Sequence, residues 1–227
     1  MAMSQLPLSL EIPKQPDIYD FFISEANELA ISWLNQWPDW PRPYNALNIY
    51  GPKGCGKSQL GALFAGKKPS LRLLSLTDFD RHDYEDVSLF VLDDVSNTPQ
   101  WSPEALFHLI NYLAETGKSA LLLSHEPLAQ VNWHLADLES RMRTLPSQAV
   151  YLPDDELLGA LLDKYFQNRQ CHVAPEVLRY ILTRIERSYE AASQMAYLID
   201  KASLAAKKPV TIALVREIFE NQLALEF

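Results

Sequence analysis

The sequence predicts an α/β domain with a mostly parallel sheet, followed by a small all-helical domain. Short apolar runs alternate with helical patterns over the first two thirds of the chain, and a glycine-rich segment joins one run to the helical pattern after it. The last third has four helical patterns and no convincing strand. Alternating strands and helices are typical of a parallel sheet covered on both faces.

The individual elements follow from periodicity and from residues that favour helix ends. Strands are predicted over 46–50, 71–76, 89–92, 120–123 and 149–152. Helices are predicted from Ser24 as N-cap towards Trp37, from about Lys57, and over 103–116, 154–169, 175–185, 188–207 and 211–222. The predicted parts are an extended arm over 1–20, the α/β domain over 21–152 and the helical domain over 153–227.

Composition narrows the function classes. The chain has 227 residues, 48% of them hydrophobic, which fits a globular protein with a substantial core. Its net charge of −9 argues against a protein that binds nucleic acid unaided. Two cysteines, Cys55 and Cys171, cannot form a disulfide framework, so a cytoplasmic protein is expected. No apolar run approaches the ~18 residues of a membrane span, so no membrane partner is expected.

A phosphate-binding loop is predicted between the first strand and the helix that begins near Lys57. The pattern Gly-x4-Gly-Lys-Ser lets backbone N–H groups surround a β-phosphate at a helix N-terminus. Lys57 is expected to reach the β- and γ-phosphates, and the Ser58 hydroxyl to hold Mg²⁺. The candidate residues for ADP or ATP are Gly51, Pro52, Lys53, Gly54, Cys55, Gly56, Lys57, Ser58 and Gln59.

Two aspartates follow the apolar run 89–92. Asp93 is expected to order the Mg²⁺ shell with Ser58, since a buried strand would deliver it beside the loop. Asp94 stands where many ATPases that have such a phosphate-binding loop carry a glutamate that polarises the attacking water. Fast hydrolysis by this chain is therefore not expected, and its status as an enzyme stays open.

The phosphate loop, the five-strand core and the helical domain together resemble the Hda/DnaA-related AAA+ family, over nearly the whole chain. The resemblance implies a helical lid over the nucleotide. The segment 19–27 is similar to the family's adenine-side segment, which makes Phe22, Ile23 and Asn27 candidates for that role. Ser124 corresponds to the first sensor, and Arg141, in Ser-Arg-Met, to the arginine finger that reaches a neighbouring subunit's nucleotide.

One position departs from the family pattern. Glu190 stands where the lid carries a second-sensor arginine, and Arg187 lies one turn earlier. A carboxylate facing phosphates is repulsive, so either Arg187 substitutes or the lid holds nucleotide weakly.

The arm resembles a sliding-clamp-binding peptide, with Gln5, Leu6, Leu8 and Leu10 as the contact residues. The resemblance thus implies an Hda-like negative regulator of replication initiation. Such a protein binds the β sliding clamp, contacts DNA only through it, and promotes hydrolysis of DnaA-bound ATP. Two alternative functions stay open: a stand-alone AAA+ ATPase or loader of the DnaA type, and a non-hydrolysing clamp adaptor. A homodimer also stays open as the oligomeric state.

Overall fold

The computed structural model of the chain describes residues 23–66 and 68–223. Gln5, Leu6, Leu8, Leu10 and Phe22 lie outside the described residues. Five parallel strands form one sheet in the order β2-β3-β4-β1-β5. They are β1 (Ala46–Tyr50), β2 (Ser70–Leu73), β3 (Leu89–Leu92), β4 (Ser119–Ser124) and β5 (Ser147–Ala149). The predicted α/β class is confirmed.

The three central strands are buried on both faces, and their side chains alternate between two hydrophobic cores. In β1, Leu47 and Ile49 enter one core and Ala46 the other, and β3 and β4 follow the same two-residue period. Continuous burial of this kind explains why these strands are mostly apolar, with Asn48 as a polar residue inside β1.

Helices cover both faces of the sheet and then form the lid. The sheet helices are α1 (Glu28–Asn35), α2 (Lys57–Ala65), α3 (Pro103–Thr116) and α4 (Ala136–Met142). The lid helices are α5 (Asp155–Asn168), α6 (Pro175–Leu182), α7 (Tyr189–Ala206) and α8 (Ile212–Leu223). In the described part of the chain, no helix is long and apolar enough to cross a membrane.

The lid shares a core with one face of the sheet. Leu47 and Leu60 of the α/β domain belong to the same buried cluster as Leu158, Ala192 and Ile199 of the lid. A second cluster, on the opposite face, is formed by residues of the α/β domain, including Phe90, Leu106 and Leu138.

Four predicted elements have a boundary that is wrong by two or three residues. Strand β2 ends at Leu73 and not at residue 76, and α6 ends at Leu182 and not at residue 185. Ser24 starts a turn, in which its carbonyl accepts hydrogen bonds from the N–H groups of Asn27 and Glu28, and α1 begins only at Glu28. Strand β5 starts two residues and ends three residues earlier than predicted, because Tyr151 leaves the sheet and donates its N–H to the carbonyl of Ala26. Helix α4 is not among the elements that the sequence predicts.

Candidate functional site

The loop between β1 and α2 has the geometry of a phosphate-binding turn. Gly54 and Gly56 have φ of +84° and +90°, which is the left-handed region that favours glycine. The lid also approaches both residues closely. A Cβ on Gly54 would lie 2.7 Å from Cβ of Ser188, and one on Gly56 would lie 2.8 Å from Cε2 of Tyr189. Backbone conformation and lid packing therefore both require glycine here.

Lys57 is buried at the start of α2 and turns back over the loop. Its Nζ donates to the carbonyl oxygens of Gly51 at 2.6 Å and Pro52 at 2.9 Å. A phosphate oxygen is a stronger acceptor than either carbonyl, because its hydrogen bond with the ammonium group would join opposite charges. The amine is thus placed to exchange these acceptors for a bound phosphate.

Ser58 and Asp93 meet across the site, as predicted. Ser58 Oγ donates to Asp93 Oδ1 over 3.0 Å, and Arg72 of β2 donates to Asp93 Oδ2. A hydroxyl and a carboxylate are oxygen ligands of the kind that Mg²⁺ prefers, completed by waters and phosphate oxygens. These two residues fit the cation, which when bound would neutralise phosphate charge. In the described residues no group of three or more His, Cys, Asp or Glu side chains could hold a metal ion by itself.

Asp94 has a different environment from Asp93. Its φ is +60°, and its Oδ2 accepts a hydrogen bond from Asn97 Nδ2 at 3.2 Å. His125 Nε2 lies 3.2 Å from Asp94 Oδ1. That buried oxygen has no hydrogen-bond partner among the residues described. Asp94 and His125 therefore lie side by side at the edge of the loop.

A cavity of about 870 Å³ lies between the loop and the lid. Eight of the predicted site residues line it: Lys53, Gly54, Gly56, Lys57, Ser58, Gln59, Asp93 and Asp94. The lid contributes Tyr165, Tyr189, Glu190, Ser193 and Gln194. Glu190 accepts a hydrogen bond from Gln194 Nε2 at 3.1 Å, so its carboxylate stays on the cavity side of α7. The lid wall is therefore neutral to acidic.

Tyr189 joins the lid to the loop and to the predicted adenine-side segment. Its N–H donates to the carbonyl of Gly54, and its phenol oxygen accepts from Nδ2 of the buried Asn27 at 3.3 Å. Burial raises the pKa of the Tyr189 phenol to about 12. Ile23 is largely exposed, whereas Asn27 lies beneath the lid. The sequence did not single out Tyr189, because its role arises from packing between the two domains.

Eight of the predicted residues that the structure describes do not line this cavity: Gly51, Pro52, Cys55, Ile23, Asn27, Ser124, Arg141 and Arg187. Ser124 is buried, and its hydroxyl donates to the carbonyl of Glu126. Arg187 pairs with Asp155 on the lid surface at 3.0 Å. The Arg141 guanidinium lies over the rings of Phe107, at 4.2 Å, and Tyr44, at 5.7 Å. Their assigned roles stay predictions, and His125, the neighbour of Ser124, reaches the cavity instead.

Asn48 is a second residue that sequence reasoning missed. Its Nδ2 donates to the carbonyl of Leu122 and to Ser124 Oγ, at 3.1 and 2.9 Å. Its Oδ1 accepts from Leu128 N–H and Ser147 Oγ, at 3.2 and 3.3 Å. The fully buried amide thus ties β1 to strands on both sides and fixes the Ser124 hydroxyl. A lone polar residue inside an apolar strand was the signal for it.

Comparison with known proteins agrees with this architecture. The family model "Hda, lid domain" matches residues 154–219. Domain III of the replication initiation protein DnaA from Thermotoga maritima superimposes with a TM-score of 0.77 at 18% identity, over 92% of this chain and 97% of that one.

Longer proteins share the fold as well. AMPPCP-bound DnaA from Aquifex aeolicus gives a TM-score of 0.72 at 18% identity, over 93% of this chain and 70% of that one. The RuvB Holliday junction branch migration motor of Thermotoga maritima gives 0.69 at 13% identity, over 90% and 71%. The lid sequence thus matches the Hda lid model over residues 154–219, and the chain as a whole has the fold of DnaA domain III.

Proposed function

We propose that this protein is an Hda-like negative regulator of replication initiation. It binds ADP or ATP with Mg²⁺, holds the β sliding clamp through its N-terminal arm, and promotes hydrolysis of ATP bound to DnaA. The Hda lid match and the nucleotide analogue carried by a DnaA of the same fold support the nucleotide part. The position of Arg141 supports the effect on DnaA, and the sequence of the arm around Gln5 supports the contact with the clamp.

Arg141 is suited to act outside its own subunit. It does not line the cavity that contains Lys57, and it has no acidic partner among the residues described. Stacking on Phe107 holds the guanidinium at the protein surface with its charge unneutralised. An arginine supplied to another subunit's nucleotide accelerates γ-phosphoryl transfer by ~10³–10⁵.

The protein's own site favours binding over turnover. Asp94 replaces the glutamate that would polarise water, and Glu190 places a carboxylate on the lid wall. Both features oppose the alternative of a stand-alone ATPase or loader, which requires steady-state hydrolysis that Lys57→Ala abolishes. A simple clamp adaptor would instead bind the clamp without changing hydrolysis by any partner.

The test is hydrolysis of ATP by DnaA in the presence of clamp loaded on DNA. Arg141→Ala and Gln5→Ala are expected to lose most of the stimulation. Arg143→Ala is the matched control, because Arg143 is exposed two residues away and pairs with Glu139 of its own helix at 3.4 Å. Stimulation by Arg141→Ala equal to that by wild type would refute the finger, and retention by Gln5→Ala would refute the clamp contact.

A further inference from the structure

Arg72 occupies one side of the Asp93 carboxylate. It lies on the edge strand β2, one residue before Leu73, whose carbonyl accepts the N–H of Asp93. Its guanidinium NH2 group pairs with Asp93 Oδ2. The Asp93 side chain is only 9% exposed, whereas that of Arg72 is 42% exposed.

Both oxygens of Asp93 are therefore engaged within the protein. Ser58 Oγ donates to Oδ1, and Arg72 donates to Oδ2. Lys57, a second cation of the site, donates to the carbonyls of Gly51 and Pro52. Among the ion pairs of the described residues, the positive charge on Asp93 comes from Arg72.

A divalent cation that uses Ser58 and Asp93 meets this arrangement directly. It must separate the Ser58–Asp93 hydrogen bond and share Asp93 with a guanidinium of like charge. Two positive charges that compete for one nearly buried carboxylate repel each other more strongly than they would in water. Because Arg72 itself is half-exposed, the pair adds little to folding stability, and its main effect is on what Asp93 can bind.

We propose that Arg72 competes with the divalent cation for Asp93 and weakens the dependence of nucleotide binding on Mg²⁺. The inference rests on the proposed nucleotide site and adds a residue that sets its metal requirement. The chain then retains a nucleoside diphosphate at low Mg²⁺, since Arg72 already neutralises Asp93 beside the phosphates. Arg72 acts through Asp93 and is a positioning residue, not a catalytic one.

The experiment is a Mg²⁺ titration of the full chain at fixed, saturating ADP, read as the increase in melting temperature over the nucleotide-free protein. Wild type is expected to show a substantial ADP shift in EDTA and a modest further rise with Mg²⁺. In Arg72→Gln the shift in EDTA falls, because Asp93 then repels the phosphates. The Mg²⁺ concentration giving half of the rise drops about fivefold, the size expected for a partly exposed ion pair.

Two variants make the result specific. Arg72→Lys keeps the charge and is expected to stay within about twofold of wild type. Arg81→Gln removes the same charge from a pair with Glu115 at 2.9 Å and is expected to leave the titration unchanged. An Arg72→Gln titration that matches wild type, or an equal change in Arg81→Gln, overturns the competition. Absence of any ADP shift in wild type, with or without Mg²⁺, overturns the nucleotide site itself.

Discussion

Replacing Tyr189 with phenylalanine should destabilise the protein at neutral pH and have little effect on its stability near pH 11. The substitution keeps the ring that packs on Gly56 and removes the phenol oxygen that accepts from Asn27 Nδ2 at 3.3 Å. A net hydrogen bond of this kind contributes ~1 kcal/mol, so Tyr189→Phe should be less stable than wild type by about that amount at pH 7.

The alkaline effect follows from the raised pKa. The Tyr189 phenol ionises near pH 10.0 in the unfolded chain and near 12 in the folded protein. The unfolded state releases the phenol proton first. The free energy of unfolding of wild type therefore keeps the contribution of this phenol below pH 10 and loses it as the pH rises towards 12. Phenylalanine has no such proton. By pH ~11 the free energy of unfolding of wild type should fall by about 1 kcal/mol relative to that of the variant. This value includes a reduction for solvent screening of the phenol at the cavity edge.

Urea unfolding of both proteins at pH 7, 9, 10 and 11 tests this reasoning. The difference between the two free energies of unfolding should shrink above pH 10 and approach zero near pH 11. The comparison cancels the titration of groups that do not interact with Tyr189. A difference that stays constant from pH 7 to 11 would show that the Tyr189 phenol is not protected by the lid.

Four further substitutions probe the site and its support. Lys57→Ala should abolish the ADP-dependent rise in melting temperature while circular dichroism keeps the native spectrum. Asn48→Ala should cost ~3 kcal/mol in urea unfolding, because buried groups on three neighbouring segments lose their partner. Gly56→Ala should cost at least ~2 kcal/mol, because it adds left-handed strain to an overlap with the Tyr189 ring. Ser102→Ala removes the side chain that caps α3 and should cost ~1 kcal/mol, a benchmark remote from the loop.

Much of the fold could be predicted from residues that lie close together in the sequence. Helix α3 has its predicted bounds because Pro103 starts it, Ser102 caps it and Gly117 ends it in the left-handed conformation. The phosphate loop was predictable for the same reason, since its glycines and Lys57 act within a few residues of one another. Asp93 needed only one further inference, that a buried parallel strand ends beside the loop.

Features that depend on contacts between distant segments were not predictable in the same way. The position of β5 is set by Tyr151 pairing with Ala26, more than a hundred residues earlier. The contacts of Tyr189 with Asn27 and Gly56 exist only because the lid folds back on the loop. In the sequence, nothing distinguishes Arg72 from other strand residues. Its ion pair with Asp93 follows from the register of β2 beside β3.

The shared core of lid and sheet has a consequence for how the molecule opens. Because Leu60 and Ile199 belong to one buried cluster, the interface between the lid and the α/β domain is apolar. Fluctuations that release the lid must expose apolar surface from both domains, so the amides of α2 and α7 should exchange hydrogen in one cooperative unit. The opposite face, with α3 and α4, belongs to the other cluster and can exchange independently. A rearrangement of the surface that carries Arg141 would therefore not require exposure of the cluster that lid and sheet share.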